Sequence, residues 1–176
     1  MKGRQPLSLR ARAVAWLAQR EHSELELRRK LLRLLQAEAR AAAPELPQGA
    51  DSLVQVDGVI AWLQERGYLD SARFIASRVH LRASRHGAAR IQQELSRHGL
   101  ELDAEAMRSL RASELERATA VWVRKFGTPA ADARTAARQA RFLTGRGFSG
   151  EVVQQLLRRV GGARRPANEG GEADDA

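Results

Sequence analysis

Cysteine is absent from this 176-residue chain. That excludes disulfides, zinc–thiolate sites and thiol catalysis, and it suits a reducing compartment such as the cytoplasm. Long hydrophobic runs are absent too. No stretch of 18 apolar residues occurs, so no transmembrane helix is expected. The first 26 residues, "MKGRQPLSLRARAVAWLAQREHSELE", reach charge too soon to form the apolar core of a signal peptide. Alternating strand patterns are missing; "SLVQV" at 52–56 comes nearest, but it runs into the helical pattern "VIAWLQERG". Aromatic residues are only 5% of the chain, which leaves few rings for stacking on nucleobases. Lysine occurs only at positions 2, 30 and 125, so nearly all positive charge is arginine.

Catalytic and metal-binding spacings are also lacking. The four histidines, His22, His80, His86 and His98, form no H-x-x-x-H or H-E-x-x-H pattern. His86 and His98 each precede a glycine expected to end a helix, where a cation suits the helix dipole. No G-x-S-x-G or P-loop is present. "GRGFSG" at 145–150 has the glycines of a phosphate loop but no strand before it. No isolated carboxylate pair stands ready for acid–base work. The expectation is no catalytic residue, no metal, no cofactor and no enzyme activity.

What the chain has is basic charge on helices. The formal net charge is +9; two arginines and four acids give residues 161–176 a charge of −2, leaving +11 for residues 1–160. A body that basic points to a polyanionic partner, against the plainer reading of a solvated surface. Apolar spacing is helical throughout and predicts nine helices. Three of the expected stops share a pattern: Leu63 to Gly67 and Tyr68, Leu95 to Gly99 and Leu100, Leu143 to Gly147 and Phe148. Each reads as a Schellman motif, with glycine in the left-handed conformation and the next apolar residue folding back on the leucine. Restarts are expected at Asp70, with Leu69 stapled to Phe74, and at Ser149, with Phe148 stapled to Val153. Ser23 with Glu26 and Ser113 with Glu116 read as capping boxes, and Thr128-Pro129 as the start of the eighth helix.

The nine helices group into an all-α fold of three tandem three-helix repeats, elongated and curved. The repeats span 8–66, with a loop at 41–52, then 70–110 and 113–160; 161–176 is expected to be a disordered tail. Trp16, Trp62 and Trp122 read as core anchors. The basic residues form three groups: Arg28, Arg29, Lys30 and Arg33; Arg78, Arg82 and Arg85; and Arg134, Arg138 and Arg141. The last two groups are spaced i, i+4, i+7, placing each on one helix face. Such a stripe can meet successive phosphates or a row of carboxylates, because the guanidinium fork binds either. The alternative for each group is a solvated face paired with acids of the same chain.

Four strings in order, "REHSELELRRKL" at 20–31, "GYLDSARF" at 67–74, "GAARIQQEL" at 87–95 and "ARQARFLTGRGFSGEVV" at 137–153, resemble the RecX family of regulatory proteins. The resemblance covers roughly residues 8–160. The chain departs from the family at Ser71, where a second aspartate is common, and at Ala88, where proline is common; the 41–52 loop is longer. The resemblance implies tandem three-helix repeats that bind the RecA recombinase, lodge in the groove of its filament on DNA, and restrain ATP hydrolysis, strand exchange and LexA-type co-proteolysis. It implies no catalytic site. The expected partner is thus the RecA filament, with weak or indirect contact to DNA, no membrane, and a monomeric cytoplasmic protein. The alternative is a helical protein acting directly on DNA without the recombinase. A helix-turn-helix made of the first two helices fits that poorly, since Glu24 and Glu26 would open its second helix.

Overall fold

The computed structural model describes residues 7–42 and 50–162, all of them helix or connecting turn. Among these residues the elements are α1 (Leu9–Leu17), α2 (Glu24–Ala42), α3 (Ala50–Glu65), α4 (Ser71–Ala83), α5 (Ala88–Ser96), α6 (Ala104–Ala112), α7 (Glu114–Lys125), α8 (Ala133–Gly145) and α9 (Gly150–Gly162). The all-α expectation holds, and "SLVQV" lies inside α3. The expected 41–52 loop is shortened from both sides, by α2 and α3; residues 43–49 lie outside the described residues. Likewise 161 and 162 complete α9, and the rest of the expected tail lies outside them.

The helices stop as their local chemistry dictates. Gly67, Gly99 and Gly147 have φ of 69°, 70° and 83°. Each stop carries both Schellman bonds. Tyr68, Leu100 and Phe148 donate their amides to the carbonyls of Leu63, Leu95 and Leu143 at 2.9, 3.1 and 3.3 Å; the three glycine amides reach Gln64, Ser96 and Thr144 at 3.0, 3.0 and 2.8 Å. Starts are equally local. Ser8, Ser23, Asp103 and Ser149 each accept the backbone amide three residues on. Asp70 accepts the amides of Ala72 and Arg73.

Four expectations need correction. Ser113 does not cap α7: its φ of −89° and ψ of 3° are outside the extended region a cap needs, and its hydroxyl turns back to the carbonyls of Ser109 and Leu110. α6 therefore passes into α7 with no reset of the backbone. Thr128 does not open α8; Asp132 does, in an extended conformation with its carboxylate on the Thr135 amide at 2.7 Å. Gly87 does not end α4, which stops at Ala83; it opens α5, its carbonyl accepting the Ile91 amide. Tyr68 does not bury itself on Leu63. It remains 46% exposed and stacks on Trp62, ring centroids 5.7 Å apart.

The chain divides into two compact units. The first comprises residues up to 79 together with 95–101; the second comprises 80–94 and 102 onward. The expected middle repeat, 70–110, contributes to both. The first unit is built on α3, whose Val56, Val59, Ile60 and Leu63 lie at i, i+3, i+4 and i+7, all buried against Leu27 and Leu31 of α2 and Ala13 of α1. Removing one such leucine to alanine costs about 2–5 kcal/mol. In the second unit Ala118, Val121 and Trp122 of α7 meet Leu143 of α8, Phe148, and Val153 and Leu156 of α9. The Trp122 indole is satisfied inside this core by Gln139 Oε1 at 2.9 Å. Trp16 and Trp62 are half-buried at the edge of the first core.

Candidate functional site

The predicted basic groups meet three different environments. In the first unit, α2 holds Arg28 between Glu24, at 3.1 Å, and Asp57 of α3. Lys30 sits 4.5 Å from the Trp16 ring centroid, and Arg29 and Arg33 are exposed. Neighbouring charges are paired in the same way. Arg73 bonds Glu21 at 2.9 Å, and Arg20 grips Glu26 with both terminal nitrogens. Burial would raise Glu26, but the Arg20 bonds and the His22 ring outweigh it and bring the carboxyl down to about 2.

The second group does not form one helix face. Arg78 lies over Phe74 at 5.0 Å, and Arg82 bonds Glu94 at 2.9 Å. Arg85 falls beyond the end of α4, so the i, i+4, i+7 spacing loses its helical meaning there. The third group keeps it. Arg134, Arg138 and Arg141 are all exposed along α8, on the side opposite buried Gln139 and Leu143. Among the described residues none of the three forms a salt bridge, although Arg138 helps hold the Asp132 carboxyl below its ordinary range after the Thr135 amide.

The second unit also gathers cations that spacing alone did not reveal. A cavity of about 440 Å³ opens between the end of α4, the α4–α5 turn, α7 and α8. Arg82, Arg85, Arg124, Lys125 and Arg146 line it with His86, Val121 and Phe142. No carboxylate is in this lining. Arg146 lies over the Phe142 ring at 4.5 Å, and Lys125 approaches the same ring at 5.9 Å. His86 Nδ1 and Arg146 Nε are buried and meet no partner among the described residues. Leaving such a group unmet costs about 1–3 kcal/mol, so their survival here calls for a reason. Burial, and then the Arg146 and Arg82 charges, hold His86 below the usual imidazole value.

Two glycines, buried Glu114 and half-buried Arg117 build this corner. The Gly87 amide donates to the Arg146 carbonyl at 3.0 Å. A Cβ on Gly87 would stand 2.1 Å from the Gly147 carbonyl oxygen, so the two turns touch backbone to backbone. Glu114, buried at the start of α7, accepts the Ala88 amide at 2.7 Å and so caps α5. Arg117, one turn on, donates to the carbonyls of Ala83 and His86 at 3.0 and 2.6 Å and to that of Leu110 at 2.6 Å. It closes the C-terminal carbonyls of α4 and α6 with one guanidinium, and burial lowers its pKa despite Glu114. Arg124 and Lys125 are neighbours at the end of α7, but Arg146 lies 21 residues beyond Lys125, and no local signal could have gathered the three. Their only sequence mark is a position at a helix end.

Among the described residues no group of three or more His, Asp or Glu side chains is placed to hold a metal, and no helix is long and apolar enough to cross a membrane. The guanidinium and ammonium groups lining the cavity offer anion binding. Comparison with known proteins agrees with the resemblance read in the four strings. Residues 112–157 match the family model described as RecX, third three-helix domain. The Regulatory protein RecX of Leptothrix cholodnii is 48% identical over 157 residues, covering 88% of this chain and 90% of the relative. Those of Ralstonia nicotianae and Herbaspirillum seropedicae are 45% and 44% identical over 156 residues, covering 88% of this chain and 89% and 92% of theirs. Identity of that level over 88% of the chain means that it belongs to the RecX family of regulatory proteins.

Proposed function

We propose that the protein is a non-catalytic regulator of the RecA recombinase. It binds the RecA filament on DNA and inhibits or modulates its ATPase, strand exchange and co-protease activities. Family membership over nearly the whole chain is the observation that carries this reading. The match at 112–157 supports a third three-helix repeat at 113–160, in series with repeats at 8–66 and 70–110. The exposed arginines of α8 are the residues assigned to contact, since they face solvent in a row and carry no salt bridge among the described residues. Arg29 and Arg33 add a second exposed pair on α2. Arg28, Lys30, Arg78 and Arg82 are held by partners within the fold and reach a target only by exchanging them. The protein works as a cytoplasmic monomer, with DNA a weak or indirect partner.

The basic cavity favours a second reading, direct action on DNA without the recombinase. One titration separates the two. Protein is added to preformed RecA filaments and to bare DNA at several salt concentrations, with ATP hydrolysis and co-sedimentation followed. Inhibited hydrolysis and tighter binding to filament are expected. Substituting Arg134, Arg138 and Arg141 together by glutamine weakens both, with circular dichroism unchanged. If these arginines meet phosphates, the salt slope of binding flattens by roughly 0.7–0.9 per lost contact. Equal affinity for bare DNA and filament would favour direct DNA binding. Wild-type inhibition retained by the triple variant at every salt concentration would remove the α8 stripe from the mechanism.

A further inference from the structure

We infer that the cavity between the α4–α5 turn, α7 and the α8–α9 turn is a phosphate-binding pocket, which takes a phosphate group by charge and hydrogen bonds without reading a base. Its size, about 440 Å³, falls among small-ligand sites. Its chemistry is of one sign. Arg85, Arg124 and Lys125 are exposed around it and Arg146 is half-buried; the carboxylates nearby are already engaged, Glu94 on Arg82 and Glu114 on the Ala88 amide. A cation or a neutral ligand would leave that charge unanswered. A phosphate answers it with several acceptor oxygens, matching the guanidinium fork.

Two further features point the same way. Arg146 Nε is a buried donor with no acceptor among the described residues, and it belongs to a residue held by two side-chain contacts and one backbone bond. Its Nη1 donates to the Arg85 carbonyl at 3.3 Å, its plane covers Phe142, and its own carbonyl takes the Gly87 amide. A guanidinium held that firmly while one donor stays unmet is preorganised for an anion. The lining's one phenyl ring, Phe142, already carries Arg146 and Lys125, which disfavours stacking of a base on it. Recognition by this pocket is therefore independent of sequence. It is also independent of the recombinase, and the test uses the protein without it.

His86 supplies the readout. It faces Arg82, Arg90 and Arg146, with Arg117 on its carbonyl and Arg124 and Lys125 sharing the cavity. Burial first, and then those cations, hold its imidazole below the usual value, and a bound phosphate would offset the cations and raise it. The full chain is titrated by NMR, following the His86 ring against pH, alone and with inorganic phosphate, a short mixed-sequence single-stranded oligonucleotide, or an oligoglutamate peptide. We expect phosphate and oligonucleotide to shift the His86 titration upward. The double variant R124Q/K125Q should weaken both by about tenfold, as for loss of a charge-assisted contact, with circular dichroism unchanged. The single variant R85Q, altered at an exposed side chain, carries the same test if the double variant is misfolded. Response to the oligonucleotide at far lower concentration than to inorganic phosphate identifies the source as a nucleic-acid backbone; equal response identifies a free phosphate group. A His86 titration unmoved by either, a shift that the variants leave intact, or oligoglutamate acting at lower concentration than both would overturn the assignment.

Discussion

The two units use the same residue, arginine, to opposite ends. In the first, Arg12 bonds Glu38, Arg20 bonds Glu26, Arg28 bonds Glu24 and Asp57, and Arg73 bonds Glu21. Arg10 and Arg66 lie against Trp62, and Lys30 against Trp16. In the second, Arg82 bonds Glu94 and Arg108 bonds Glu105. Arg85, Arg124, Lys125 and the three arginines of α8 face solvent without a carboxylate. Net charge cannot distinguish these cases. Both units are rich in arginine, but the second gathers its exposed cations in a cavity and along one helix face. A basic total therefore predicts a polyanionic partner, and the acids interleaved with the basic residues decide which part of the molecule meets it.

The largest effect that can break this contrast is expected at Gly87. Its substitution by alanine drives a Cβ into the Gly147 carbonyl, and neither side of that contact is a flexible side chain. The cost is about 3 kcal/mol or more if the turns cannot separate. If they do separate, Arg85 and His86 move away from Arg146, and anion binding by the second unit falls even where the helices survive. Thermal melts and phosphate titration of the variant check both. An unchanged melt with unchanged binding would mean the two turns do not need each other.

Gly67 in the first unit gives the smaller, purely local counterpart. A Cβ there meets nothing within 4 Å, so the penalty is conformational alone. Gly67→Val forces a β-branched residue to φ near 69°, at a cost of at least about 1 kcal/mol. Phosphate binding by the cavity should stay as it was, because Gly67 belongs to the first unit and the cavity is lined by residues of the second. A melt like that of the wild type would show that the Schellman stop is not held by its left-handed residue.

These two glycines also mark how far the sequence can be read. Gly67 was legible because every bond that requires it lies within the five residues before it, and Leu-x-x-x-Gly followed by a large apolar residue is that geometry written as sequence. Gly87 was misread as a helix stop because its constraint comes from Gly147, distant along the chain. Ser113 and Glu116 had the letters of a capping box. The backbone between α6 and α7 never leaves the helical side, however, and buried Glu114 turns to Ala88 instead. The α8 stripe was legible by periodicity. The cavity was not, since Arg85, Arg124, Lys125 and Arg146 meet only once four segments are packed. The acids that engage Arg28 and Arg82 were visible in the sequence as residues, but their pairing with Asp57 and Glu94 depends on how the helices lie together.

The smallest effect is the sharpest test of the contrast, because it compares one arginine from each unit by the same substitution. Arg28→Gln removes a guanidinium shared by Glu24 and Asp57 and leaves two carboxylates facing each other across α2 and α3. The side chain is 30% exposed, so solvent screens the pair, and the expected loss of stability is up to about 1 kcal/mol. Arg138→Gln removes an exposed guanidinium with no salt bridge among the described residues, and its effect on stability should lie within about 0.5 kcal/mol of zero. Binding should rank the two the other way. Arg138 is available to an anion, so its loss weakens filament binding and flattens the salt dependence; Arg28 is occupied, so its loss changes neither. Denaturant melts and salt-dependent binding of the two single variants, measured side by side, give four numbers. Loss of stability confined to Arg28 and loss of binding confined to Arg138 would support the division of labour. If Arg28→Gln weakens binding as much as Arg138→Gln, the pairing with Glu24 and Asp57 opens when the partner arrives, and Arg28 joins Arg29 and Arg33 in the contact surface.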